Sequence, residues 1–455
     1  MSKVIKLSEK LSQINFFSPQ QEYELYHSSF LRSELGQIYQ NIPWKDLVVA
    51  FKLKPSKVGR KSLFDLQGQL ALMFLKAYTG LSDRKLIEQL NGNIDYQLFC
   101  GVLLSPAERL IDFKIVSKIR TQLGKKLNIR SSQKALAKHW KPYLNDTHVM
   151  LTDATCYESQ LRYPTNVKLL WESVEWNYKE LKLLCKSLKI RMPRSKYLEQ
   201  KDKYYGYQRK RRKTNKGTRV RTRSLLYLLN KLNQQLDEVE DHYKDCLELP
   251  GKYYDKRKVI RKVYRQQRQI FETGNSLPDR LVSISKSYIR PIVRGKETKK
   301  VEFGAKVNMI QVDGINFIEY LSFNPFHEGN RLIASIWQSQ HLFGQTSHIS
   351  ADAIYATNKN RKYCTSNRIT TNFSRKGRAG KHEEHRKAIS KELNKERATR
   401  MEGSFGTEKE HYNLQKIKAK TQANEILWIF FGVHTANAVR VAKKIQAKEL
   451  QQEAA

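Results

Sequence analysis

The amino-acid sequence predicts an α/β protein, a mixed sheet covered by helices, with an all-helical region before it and a helical insertion inside it. Three observations carry this reading. Residues 148–152 (HVMLT) form a short apolar run that ends on Asp153. From Val301 two strand-like runs, EFGAKVNMIQV and NFIEYLSF, flank Asp313-Gly314, a strong hairpin-turn signal. Most of the remaining chain repeats its apolar residues with helical spacing.

Taken in order, the first ~45 residues read as a short helical lead-in. The first 17, MSKVIKLSEKLSQINFF, contain no uninterrupted apolar segment and no small-residue cleavage site, so no signal peptide is expected. SLFDLQGQLALMFLKAYTG presents a broad helical face that ends at Gly80, a natural C-cap. Ser82 caps a second helix, DRKLIEQL, which stops at Asn91-Gly92, and a third segment begins at Asn93. This helix–turn–helix pattern fits a DNA-reading motif and equally an ordinary helical bundle.

HVMLT then reads as a buried strand with Asp153 at its C-terminal tip. From Val167 to Phe271 the chain is helical and strongly basic. Leu225, Leu228, Leu229, Leu232, Leu236 and Val239 form one apolar stripe, and Val259, Ile260, Val263, Ile270 and Phe271 another, so the two helices are expected to pair as an antiparallel hairpin. After the 301–323 hairpin come a helix (330–340), the strand SHISA ending at Asp352, another helix, a short strand (368–371), the basic stretch RKGRAGKHEEHRK, and a helical remainder over 388–453. The expected division is a helical N-terminal region (1–140), the start of the sheet domain (141–166), a basic helical insertion (167–295), and the rest of the sheet domain with C-terminal helices (296–455).

Composition narrows the partner. Of 455 residues, 84 are Lys or Arg and 44 are Asp or Glu, a formal net charge of +40. The 18 Phe, 23 Tyr and 6 Trp require a core, which excludes a disordered tail. An excess of this size points to a polyanion, nucleic acid first. The longest apolar run, ILWIFFGV, is far short of the ~20 residues that span a bilayer, so no membrane partner is expected. Five scattered cysteines with no CxxC pair fit a reduced, cytoplasmic protein without a zinc ribbon.

The positive charge is concentrated. Residues 204–223 (YYGYQRKRRKTNKGTRVRTR) contain no acid, and their Gly and Thr content reads as a flexible basic arm. Arg209, Lys210, Arg211, Arg212, Lys213, Arg219, Arg221 and Arg223 are its candidate phosphate contacts. A second patch interleaves Tyr253, Tyr254 and Tyr264 with cations that include Arg257 and Arg261, where rings could stack on bases. The plain alternative for both is a solvated helix face.

The acids that stand out are few. Asp153 and Asp352 each end an apolar strand, where open α/β sheets place ligand sites. If those strands are neighbours, the carboxylates repel one another unless cations lie between them. A pair of Mg²⁺ ions, which prefer oxygen ligands, would satisfy both and activate water for attack on a phosphodiester. Glu402 is the candidate third acid, on a helix with Lys409 seven residues later. Seven residues make two turns, so the two share a face about 10 Å apart. Glu396, Glu408 and Glu410 compete for the same role.

At this point the residues resemble a known family. LFDLQGQLALMFLKAYTGLSDRKLIEQLNGNIDYQLFCGV is similar to the N-terminal domain of DDE transposases of bacterial insertion sequences. LTDATCYESQLRYPTNVKLLWE resembles their first Asp block. ISADAIYATNKNRKYC resembles the second, with Asp352, Tyr355, Asn360 and Arg361, and RMEGSFGTEKEHYNLQKIKAK the Glu block with its Glu–x6–Lys spacing. The similarity covers most of residues 60–175 and 300–445. It implies a ribonuclease-H-like core and an Asp153, Asp352 and Glu402 triad that binds two divalent ions (Mg²⁺ or Mn²⁺), with Lys409 auxiliary and Arg361 near the DNA. It further implies double-stranded DNA as partner, a homodimer or larger assembly on that DNA, and a nucleoid-associated location in the cytoplasm. One departure is evident: the family often has Arg four residues before the Glu, and here that position is Ala398, flanked by Arg397 and Arg400.

Other residues have plainer readings. Asp313 ends an apolar strand, but Gly314 beside it favours a tight turn. His382 and His385 with Cys364 lack a fourth zinc ligand nearby. Cys156 is expected to be a small buried side chain, and Trp171 and Trp176 core residues, with base stacking the alternative for the tryptophans. The expected function is a DNA transposase that cuts and joins strands. A nuclease on the same fold without joining, and a non-catalytic DNA-binding protein, are the alternatives.

Overall fold

The computed structural model describes residues 19–55, 62–105, 107–293, 301–378 and 382–453. The N-terminal segment read as free of a signal peptide lies outside these residues.

Eight helices come first: α1 (Pro19–Arg32), α2 (Glu34–Gln40), α3 (Trp44–Ala50), α4 (Leu66–Thr79), α5 (Asp83–Leu90), α6 (Ile94–Phe99), α7 (Lys114–Lys126) and α8 (Ile129–Trp140). The expected punctuation is present. Gly80 ends α4 with φ 64°, the Ser82 side chain accepts from the Lys85 N–H, and Asn93 caps α6. Every residue from Leu70 to Ala77 of α4 is buried, because α4 runs through the middle of a bundle instead of lying on its surface. Its Phe74 meets Phe431 edge to face at 5.0 Å, so this bundle shares a core with the C-terminal helix.

The sheet is built from β1 (Val149–Ser159), β2 (Pro291–Val293), β3 (Val301–Val312), β4 (Ile315–Ser322), β5 (His348–Ala351), β6 (Thr370–Thr371) and β7 (Lys416–Ile417). Its main path is β2-β3-β1-β5-β6, with β4 on β3 and β7 on β1. β3 is antiparallel to β1 and β4, whereas β5 and β7 are parallel to β1. The predicted hairpin is present, and Asp313 (φ 46°) and Gly314 (φ 81°) make its turn. Close approach of β3 to β1 depends on Gly304, where a Cβ would lie 2.1 Å from the Tyr157 carbonyl oxygen.

One expectation fails here. Asp153 is not at the tip of its strand, because β1 continues to Ser159. Residues after Asp153 keep their ladder with β3 as far as Glu158 opposite Gly304, so the strand is sustained by pairing that local apolarity does not reveal.

The insertion comprises α9 (Asn166–Ser187), α10 (Tyr197–Arg209), α11 (Asn215–His242) and α12 (Gly251–Thr273), around a hydrophobic cluster of its own. The expected hairpin forms: Tyr253 reaches Glu240, and Phe271 lies under Arg219, so α11 and α12 run antiparallel. Trp171 is core, stacked on Tyr204 at 4.7 Å. The flexible arm expected over 204–223 is instead the end of α10, a short link and the start of α11. Thr214 caps α11 by accepting from the Gly217 N–H at 3.1 Å, so the Thr and Gly that suggested flexibility start a helix.

The rest is α13 (Leu332–Phe343), α14 (Asn358–Ser366), α15 (Glu383–Glu396), a π-helical turn (Arg397–Met401), α16 (Glu402–His411) and α17 (Gln422–Glu453). The remainder is therefore not continuously helical. The segment between α16 and α17 turns at Asn413 (φ 63°) and adds β7 to the sheet. Helices cover both sheet faces. Met150, Ile310 and Phe317 face α13 and the N-terminal bundle, while Leu151, Met309 and Ile318 face Met401 and Phe405 of the π turn and α16. No helix among the described residues is long and apolar enough to cross a membrane.

Candidate active site

The sheet register brings the two aspartates together. β1 and β5 pair in parallel up to Thr152 opposite Ala351, so the next residues, Asp153 and Asp352, fall side by side where β5 ends. Among the described residues β7 joins β1 at Glu158 and Ser159, beyond that point. Among the described residues no strand flanks β1 on that side between these points, and the π turn and α16 pack there instead. Asp153 has the same alternation as Leu151 and so points to the face that α16 covers.

Asp153, Asp352, Glu402 and Lys409 line one cleft of about 760 Å³, together with Arg397, Lys306 and Glu328. Asp153 is mostly buried, and its Oδ1 accepts from the Ala154 N–H at 2.7 Å. Burial pushes its carboxyl up to about 6. The Ala154 N–H and Arg397 pull the other way, and the nearby acids Glu328 and Asp352 add to the rise. Asp352 is exposed and caps the turn Ala353–Tyr355 by accepting from the Ala353 N–H at 2.7 Å. Glu402 opens α16 with its side chain largely in solvent, and the Lys409 ammonium lies 5.9 Å from the centre of the Tyr157 ring. Two turns of helix thus carry Glu402 and Lys409 to the same cleft.

Glu402's competitors are placed elsewhere. Glu396 pairs with Arg400 at 2.8 Å. Glu408 is fully buried, accepting from Tyr157 Oη and Asn316 Nδ2, and burial raises its carboxyl. Glu410 is exposed and does not line the cleft. Asp313 is also distant: it accepts from the Asn145 N–H and pairs with Lys444 at 2.6 Å.

Three cleft residues were not singled out in the sequence. Arg397 Nη1 lies 3.1 Å from Asp153 Oδ2 and 3.5 Å from Glu402 Oε1. Of the two arginines flanking Ala398 it is the one at the cleft, while Arg400 faces Glu396 and Asp313. α-Helical arithmetic hides it, since five residues at 100° leave Arg397 and Glu402 about 140° apart. The π turn, with more residues per turn, narrows that angle, and the Glu402 N–H donates to the Arg397 carbonyl five residues back. Lys306 on β3 pairs with Glu328 at 2.7 Å and donates to the Phe326 carbonyl at 2.9 Å. No motif in the sequence points to that pair.

The donor chemistry of the cleft suits a hard divalent cation, with carboxylate oxygens from three elements. The acids surround the space without closing on it: among the described residues no three His, Cys, Asp or Glu side chains converge closely enough to hold a metal ion. Arg397, between Asp153 and Glu402, accounts for part of that separation.

The basic residues divide. Arg209, Lys210, Arg211, Arg212, Lys213, Arg219, Arg223 and Arg261 are exposed. Arg221 is half-buried and donates to Gln200 at 2.7 Å. Arg257 is only 1% exposed, held by Asp237, Glu240 and Asn233, and cannot reach a phosphate. Burial of neighbouring Tyr253 likewise removes it from base stacking. Arg361 donates to the Ala356 and Ser374 carbonyls and stacks on Phe373, bracing the chain behind Asp352. Cys364 is buried in the main core, which separates it from the exposed His382 and His385, and Cys156 is buried too.

Comparison with known proteins gives one match. Residues 24–122, from α1 into α7, match the family described as Transposase domain (DUF772). No curated protein and no solved structure matches the chain. The N-terminal helical region is thus similar to a transposase domain, which supports a transposase role and DNA as partner.

Proposed function

We propose that this protein is an insertion-sequence transposase of the DDE class, with a ribonuclease-H-like core, which cuts and joins DNA strands in the cleft of Asp153, Asp352, Glu402 and Lys409. The observation that carries the reading is the arrival of all four residues at one cleft, from β1, the end of β5 and α16, in a chain whose residues 24–122 match a transposase domain.

Asp153, Asp352 and Glu402 would hold two divalent ions, Mg²⁺ or Mn²⁺, which when bound would polarise the scissile phosphate and favour ionisation of a water. The chain's own residues do the remainder. Asp153 is charged above about pH 6 and so becomes an anionic ligand near neutrality. Lys409 offers an ammonium to a phosphate oxygen from the same helix that carries Glu402. The exposed cations of residues 209–223 neutralise flanking phosphates without reading sequence. Water attack on a phosphodiester breaks its P–O3′ bond and leaves a 3′-OH and a 5′-phosphate; that 3′-OH then attacks a target phosphodiester, whose own 3′-oxygen leaves, and neither step needs a covalent bond to protein.

The test uses DNA carrying the element's ends, with Mg²⁺. Asp352→Asn is expected to abolish nicking while end binding, measured by gel shift, is unchanged. Full cleavage by this variant would remove the assignment. Joining of a labelled 3′-OH end to a second duplex separates a transposase from a nuclease that only cuts.

A further inference from the structure

We propose that Arg397 is a built-in counter-ion of the cleft, seated between Asp153 and Glu402 where a divalent cation must enter, so that cation binding requires its guanidinium to withdraw. The inference rests on the reading of these acids as a cation site.

Four features support it. Arg397 Nη1 contacts both carboxylates, at 3.1 and 3.5 Å, and so occupies the space between two of the three acids. Its Nε is buried with no hydrogen-bond partner among the described residues. A donor left unsatisfied is unfavourable, so the side chain is held by the Nη1 hydrogen bond to Asp153 and by charge attraction to both carboxylates, against a residual cost at Nε that its withdrawal would relieve. Asp352 lies outside the ion pairs of Arg397 among the described residues, which leaves one carboxylate open to an arriving ion. Finally, the π turn that aims Arg397 at Glu402 is a local departure from the α-helix on either side of it. Reversion of that turn to α geometry would rotate Arg397 away from Glu402 and release the third carboxylate, leaving the contact with Asp153 for the arriving ion to displace. A divalent ion attracts each carboxylate about twice as strongly as a single guanidinium charge, which supplies the drive for exchange.

Mn²⁺ titration of the full chain, without DNA, tests this through the electron paramagnetic resonance signal of free Mn²⁺. Arg397→Met is expected to bind Mn²⁺ about tenfold tighter or more, the size of one charge-assisted contact. Arg397→Lys, which keeps the charge but not the planar fork, is expected to fall between it and the wild type, and serves if the Met variant folds poorly. Lys306→Met removes a positive charge from the same cleft without vacating the space between the acids, and is expected to change affinity less. The proposal is overturned if Arg397→Met binds no tighter than wild type while Asp352→Asn loses binding. It is equally overturned if Lys306→Met matches Arg397→Met, since general charge would then explain both. If Asp153→Asn and Asp352→Asn both bind Mn²⁺ like wild type, the cation-site reading itself fails, and this inference with it.

Discussion

At the scale of single residues, Asp153 has the most measurable consequence. Its carboxyl is pushed up to about 6, against ~3.9 for an unperturbed aspartate. The folded state therefore holds this proton more tightly than the unfolded state. The stability this contributes is complete below about pH 4, declines as pH rises towards 6, and is absent above it. With divalent ions chelated, Asp153→Asn is expected to stabilise the protein at about pH 8 by up to ~3 kcal/mol, and to give no gain near pH 3.5. Thermal melts at the two pH values check the sign, and equal shifts at both would refute it. As candidates, Asp352, Glu402 and Lys409 were legible because a strand end and helical spacing are local properties, and Asp153 because it follows an apolar run, although its strand does not end there. Arg397 was not, because its angle to Glu402 depends on a π turn that side-chain spacing does not encode.

At the scale of elements, the insertion shows how a basic sequence divides between structure and surface. Arg257 lies one helical turn from Arg261 in the same basic stretch, yet it is enclosed by Asp237, Glu240 and Asn233 of α11, while Arg261 is exposed and pairs with the outer Asp237. Arg257→Met is expected to remove the buried cation between them, leaving Arg261 on Asp237 and Tyr253 on Glu240, and to cost ~1–3 kcal/mol, with the salt dependence of DNA binding unchanged in the folded protein. Denaturant unfolding and a salt titration together decide it, and a shallower salt slope at unchanged stability would make Arg257 a phosphate contact after all. The apolar stripes of α11 and α12 were readable in the sequence and fixed their pairing. Which cation lies at the seam was not, since that depends on the rotation of one helix against the other. The same limit explains residues 204–223, where Thr214 and Gly217 act as a cap only once α11 has a packed stripe to continue into.

For the whole molecule, the net charge of +40 acts through the cations left at the surface. Arg211, Arg212 and Lys213 are exposed in the link between α10 and α11. Replacing all three with Ala is expected to weaken binding similarly for any DNA sequence and to lower the salt slope by about 3, roughly one unit for each phosphate no longer neutralised. An unchanged slope would show that these cations do not meet DNA. The sequence by itself determined the helical N-terminal region, the hairpin about Asp313-Gly314, the basic character of the insertion and the identity of the candidate acids, because caps, turns, periodicity and charge are written in neighbouring residues. Only the tertiary structure decided that β1 runs on past Asp153, that β5 stops beside it, and that Arg397 enters the space the acids surround. Each of these depends on strand register and helix placement between segments some 200 residues apart in the chain, and no local pattern contains that information.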